Sequence, residues 1–240
     1  MSDKLVIIIQ GPTTYYQSVI GQYNNYDRII WSTWNSEPYD NLIEIEKAGI
    51  TLCHSELPDI KGEWNCNLQC ISVYNGVMCG KEKFPDADYF LKIRSDLIIN
   101  NFEFFLKQVY KCVNENLSFL GYYKSKEKAY LLDYVIGGKY DDLINYFTPC
   151  TDSNCGLPFP EEFLQNRFYN GNPIYFKKQV YNLINISSIK IYWIKQNKFI
   201  TQLQPSIQFN RQNNRLKNLL FYFQSGFQKY YNSFHSKLNK

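Results

Sequence analysis

Leu5-Val6-Ile7-Ile8-Ile9 is apolar at five consecutive positions, and four of the five side chains are β-branched. Successive residues of a strand point to opposite faces, so such a run is satisfied only where both faces are covered. It predicts a central strand of a parallel sheet lying under helices. The same grammar recurs along the chain. Residues 28–32, 50–53 and 88–94 read as strands, and residues 15–24, 38–48 and 65–80 as the helices between them. Gly49 is placed to stop the second helix. A helix over 102–114, strands over 117–121 and 130–136, and helices over 139–147 and 161–169 follow. Alternation of this kind predicts an α/β fold with a mostly parallel sheet and helices on both faces. Its ligands are expected beyond the carboxyl ends of the strands. That rule nominates residues 10–14, 32–35, 54–56 and 94–96. The stretch 148–160, rich in Pro, Ser, Thr and Cys, reads as a loop and a candidate lid.

Charge divides the chain. All 22 acidic residues lie at or before Glu162, whereas residues 163–240 hold 12 of the 26 Lys and Arg. Such a basic segment, interleaved with aromatics, has three readings: it lies on anionic lipid, it packs on the acidic part of its own chain, or it binds nucleic acid. Nucleic acid ranks last, because no recognition motif accompanies the charge. From Arg211 onward, Leu216, Leu219, Leu220, Phe223, Phe227, Tyr230, Tyr231, Phe234 and Leu238 form one helical stripe flanked by Lys and Arg. The expected organisation is a domain over 1–205 and a basic amphipathic helical extension over 206–240, seated in a membrane interface or docked on the core. No apolar run approaches the roughly 20 residues of a membrane span. Met1-Ser2-Asp3-Lys4 does not read as a secretory signal, so a cytoplasmic location, with peripheral membrane contact, is expected. In that setting the seven cysteines are expected to be reduced. None has the C-x-x-C spacing of a zinc site, and there are two histidines, His54 and His235.

The densest chemistry lies in Tyr89-Phe90-Leu91-Lys92-Ile93-Arg94-Ser95-Asp96-Leu97. Strand alternation places Lys92, Arg94 and Asp96 on one face. Charges in a central strand are costly to bury unless paired or used. Two readings stay open: an anion and metal site, or an Arg94–Asp96 ion pair serving architecture. The segment also resembles the Asp-x-Asp element of GT-A glycosyltransferases, with Arg94 at the first acidic position and Asp96 retained. That resemblance implies Asp96 as a ligand of Mn²⁺ or Mg²⁺ bridging the diphosphate of a nucleotide sugar. Alternatively, Arg94 itself supplies part of the positive charge.

A wider resemblance runs in order over about residues 6–170. Ile8-Ile9-Gln10-Gly11-Pro12, Ile30-Trp31-Ser32-Thr33-Trp34 and Leu91-Lys92-Ile93-Arg94-Ser95-Asp96-Leu97 are similar to sequential blocks of WavE-type lipopolysaccharide-synthesis glycosyltransferases. Looser matches are Asn67-Leu68-Gln69-Cys70-Ile71-Ser72, Leu132-Asp133-Tyr134-Val135-Ile136-Gly137 and Pro160-Glu161-Glu162-Phe163-Leu164. The resemblance implies a GT-A-like fold and transfer of a sugar from a nucleotide donor to a glycan or glycolipid acceptor. By position, Gln10, Gly11, Pro12 and Thr13 would face the base and ribose, with Ser32 and Thr33 nearby. Trp34 either stacks on the base or covers the core. Gln69 either reaches the donor or lies on a solvated helix face. Lys92, Arg94, Ser95 and Asp96 would face the diphosphate. A base near the acceptor hydroxyl is needed for an inverting reaction, and Asp133, Glu161 and Glu162 are the candidates. Glu161 begins a helix, whose dipole is expected to lower its pKa. Two rivals are a nucleotidyltransferase, whose Gly-rich loop with Lys or Arg is missing after the first strand, and a catalytically silent nucleotide-sugar-fold binding module that contacts a membrane or partner through its basic third.

Overall fold

The computed structural model describes residues 4–114, 116–124, 129–170, 181–203 and 206–211. Its main sheet contains β1 (Leu5–Gln10), β2 (Ile29–Trp34), β3 (Thr51–Ser55), β4 (Tyr89–Arg94), β6 (Ser118–Phe119), β9 (Val135–Lys139) and β10 (Asn182–Leu183). The order is β10-β6-β9-β4-β1-β2-β3. β1 pairs in parallel with β2 and β4, β2 with β3, and β10 with β6. β9 runs antiparallel between β4 and β6. The sheet is therefore α/β and mostly parallel, as the apolar runs required.

Two apolar clusters cover its faces. Leu5, Ile7 and Ile9 of β1 point to one, with Val19, Ile45, Phe105 and Val109. These last come from α1 (Tyr16–Val19), α2 (Tyr39–Lys47) and α4 (Phe102–Tyr110). Val6 and Ile8 point to the other, with Cys70, Val73, Leu143 and Leu164. Those belong to α3 (Cys66–Lys83), α5 (Tyr140–Tyr146) and α6 (Pro160–Tyr169). The β1 isoleucines are at most 3% exposed, and burying each contributes about 1.5–3 kcal/mol. Gly76 and Gly80 let α3 lie directly on β1 and β2, since a Cβ on Gly76 would stand 2.7 Å from Ile8 Cγ2.

Several expectations need correction. The helix read over 15–24 is broken into 3₁₀ turns at Thr13–Tyr15 and Ile20–Tyr23 flanking the single turn of α1. The strand read over 130–136 is two strands: β8 (Ala129–Leu131) and β9, in different sheets. A second, mostly antiparallel sheet was not anticipated. It joins β5 (Leu97–Ile99), β11 (Ile191–Trp193), β12 (Lys198–Leu203), β13 (Ser206–Arg211), β7 (Tyr122–Lys124) and β8 in that order. β13 pairs with β12 along its whole length, so residues 206–211 are strand and part of this sheet, not the start of a helical extension. The stripe beyond Arg211 lies outside the described residues. Cys150 and Cys155 form a disulfide with Cα atoms 5.9 Å apart, where reduced thiols were expected; Cys53, Cys66, Cys70, Cys79 and Cys112 are free. No helix among the described residues is long and apolar enough to cross a membrane.

Candidate active site

In the order β3-β2-β1-β4 the progression of strands reverses between β1 and β4. An open α/β sheet has its crevice at that switch point, beyond the carboxyl ends of the two strands. Gln10 and Arg94 are register partners there. The chain leaves β4 at once, turning through Ser95 and Asp96 into β5. Strict alternation therefore stops at Arg94, and Asp96 reaches its neighbours through the turn.

The loop after β1 is locked from within. Gly11 has φ +128°, a conformation side chains rarely adopt, and a Cβ there would stand 2.6 Å from Ser95 Oγ. Ser95 Oγ donates to the Pro12 carbonyl at 2.9 Å, and the Trp31 indole donates to the Gly11 carbonyl at 3.2 Å. Thr13 N and Oγ1 both donate to Glu37 Oε2, at 2.8 and 2.5 Å. The Thr13 and Ser95 hydroxyls and the Pro12 carbonyl thus have partners within the protein. Ser32 is likewise spent, donating to the Ser72 carbonyl at 2.5 Å beneath α3. Thr33 is fully buried, and Trp34 is 8% exposed. Among the described residues the Gln10 side chain has no partner.

At the end of β4, Arg94 Nε and Nη2 donate to Asp96 Oδ1 and Oδ2, each at 3.0 Å. The Trp193 indole donates to Asp96 Oδ2 at 2.8 Å, and Ile194 N donates to the Asp96 carbonyl at 3.0 Å. The guanidinium lies 5.0 Å from the Trp193 ring and 5.7 Å from the Tyr134 ring. Burial alone would raise the Asp96 pKa, but the Arg94 bonds and charge prevail and hold it below the usual carboxylate range. The Arg94–Asp96 ion pair that the sequence left open is present.

A second polar group sits deeper. Lys92 is fully buried, and its ammonium donates to the Asp133 carbonyl. Burial pushes its pKa down to about 8, against the pull of Asp133, Asp96 and Glu161. The Gln69 amide donates to Asp133 Oδ2, so Gln69 positions a carboxylate and its face of α3 is not simply solvated. Glu161 stands in the first turn of α6. Its pKa is raised to about 7, first by burial and then by the charge of Asp133, although Arg94 and Lys92 oppose the rise. This corrects the expected lowering. A helix N-terminus contributes only about 0.3–1 kcal/mol, less than desolvation and a neighbouring carboxylate together.

The residues do not fit a divalent cation at Asp96. Both carboxylate oxygens are bonded to a guanidinium, and among the described residues no three His, Cys, Asp or Glu side chains are grouped to share a metal. Trp193 and Tyr134 were missed as site residues. Trp193 lies 97 positions from Asp96 in a segment legible only as basic and aromatic. A cavity of about 620 Å³ lies apart from this cluster, against Gln22, Asn25, Tyr26, Asn101 and Phe102. The chain matches no protein-family model, and no curated protein matches it significantly.

Proposed function

We propose that this chain is a GT-A-like glycosyltransferase that moves a sugar from a nucleotide-sugar donor to a hydroxyl of a glycan or glycolipid, acting at a cytoplasmic membrane face. One observation carries the reading: half-buried Glu161, its carboxyl raised to about 7, lies within electrostatic range of buried Asp133 and of buried Lys92 on β4, one of the two switch-point strands. A carboxylate poised near the working pH is what abstraction of a hydroxyl proton demands. Glu161 is the general base in this reading. Burial first, and then the charge of Asp133 held by Gln69, keeps the Glu161 pKa high, and Lys92 stabilises the ionised form that begins the reaction. The mostly parallel sheet flanked by helices is compatible with a Rossmann-like fold, which the GT-A reading requires.

The test is hydrolysis of a panel of nucleotide sugars across pH. The expected result is turnover of at least one donor, rising with an acid limb near pH 7 and reduced at least ~100-fold in Glu161→Gln. Turnover unchanged in that variant refutes the assignment. The closure of Asp96 by Arg94 and Trp193 favours a second reading, a silent binding module, which predicts donor binding without hydrolysis.

A further inference from the structure

We propose that Asp96 is a positioning residue for Arg94 and not a metal ligand, so that the phosphate oxygens of a nucleotide meet a fixed guanidinium at this crevice without a divalent ion. The identity of the ligand rests on the nucleotide-sugar reading above; the arrangement of the pair does not.

Three observations support it. Asp96 accepts three hydrogen bonds from cationic or indole donors, at 3.0, 3.0 and 2.8 Å. A divalent ion needs a carboxylate oxygen at about 2.0–2.6 Å, and would have to displace the guanidinium or share an oxygen with it. Like charges at that separation repel, and the burial of Asp96 limits the screening by water. The nearest other carboxylate system, Asp133 and Glu161, is already served by Gln69 and by the charges of Lys92 and Arg94. Finally, the guanidinium is held rigidly. Its Nε–Nη2 edge is fixed by Asp96 and its charge faces the rings of Trp193 and Tyr134, while Nη1 has no partner among the described residues. A planar fork fixed in this way presents its remaining N–H groups in one direction, the geometry that suits a phosphate oxygen. The Arg94 side chain is 26% exposed, against 9% for Asp96, so of the pair the guanidinium is the more open to solvent.

The experiment uses the full-length protein. Free Mn²⁺ is titrated by electron paramagnetic resonance with protein alone, and UDP, GDP, ADP and CDP are titrated calorimetrically in EDTA and in excess Mn²⁺. The expected results are no depletion of free Mn²⁺, and one diphosphate bound with a Kd within about twofold in the two buffers. Arg94→Gln should then weaken binding at least ~10-fold, Asp96→Asn about 3- to 10-fold, and Trp193→Phe less than Asp96→Asn. Capture of Mn²⁺ by the wild-type protein overturns the proposal whatever the nucleotides do, and needs no variant to fold. Binding seen only with Mn²⁺ overturns it too, while leaving the nucleotide reading intact. No binding of any diphosphate in either buffer, with no Mn²⁺ captured, removes the nucleotide reading and this inference with it.

Discussion

Replacing Glu161 by Gln should make the protein more stable and inactive at once. Burial and the charge of Asp133 raise this carboxyl from its ordinary 4.5 to about 7. At about 1.4 kcal/mol for each pH unit, folding holds about 3 kcal/mol against the ionised form. The side chain is partly open to solvent, which screens the effect to about 1–2 kcal/mol. A group whose pKa rises on folding adds stability at low pH. That contribution is complete below about pH 4.5 and is lost as pH climbs through about 7. Glutamine has no proton to lose, so the advantage of the variant opens across this window. Urea denaturation of both proteins at pH 5 and pH 8 measures it. The gap in unfolding free energy should widen by about 1–2 kcal/mol in favour of Glu161→Gln at the higher pH. A gap that stays flat, or a variant that is the less stable at pH 8, would refute the claim that Glu161 is ionised at a cost. Donor hydrolysis by the same preparation should fall at least ~100-fold.

Three further outcomes can be checked. Lys92→Met keeps the volume but removes a buried charge that lowers the Glu161 pKa, so the acid limb of the rate profile should move above about pH 7; a limb that does not move refutes the coupling. Gly76→Ala puts a Cβ 2.7 Å from Ile8 Cγ2 and 2.8 Å from Ser32 Cβ, and should cost about 1–3 kcal/mol in chemical denaturation. Gly21→Ala, which meets nothing within 4 Å, is its control and should be neutral or stabilising. Opening Cys150–Cys155 by a double Ser substitution should cost about 2 kcal/mol, because the crosslink closes a short loop in the unfolded chain. Equal stability of oxidised and Ser forms would contradict that.

What the sequence determined by itself is the layered sheet. Leu5–Ile9 has no polar alternate, so it had to be covered on both faces, and the strand–helix alternation then dictated parallel neighbours and a crevice at their carboxyl ends. Local pattern also singled out Lys92, Arg94 and Asp96, because charges in a central strand need a partner or a task, whereas Asp133 and Glu161 entered as candidates for the base that the resemblance requires. The tertiary structure alone decided who the partners are. Asp96 meets Trp193 only because β5 pairs with β11, a long-range contact with no local signature. The direction of the Glu161 pKa followed in the same way. Its helix position is written in the sequence and favours ionisation, whereas the burial and the Asp133 charge that outweigh it arise only when α6, α3 and the β8–β9 segment meet.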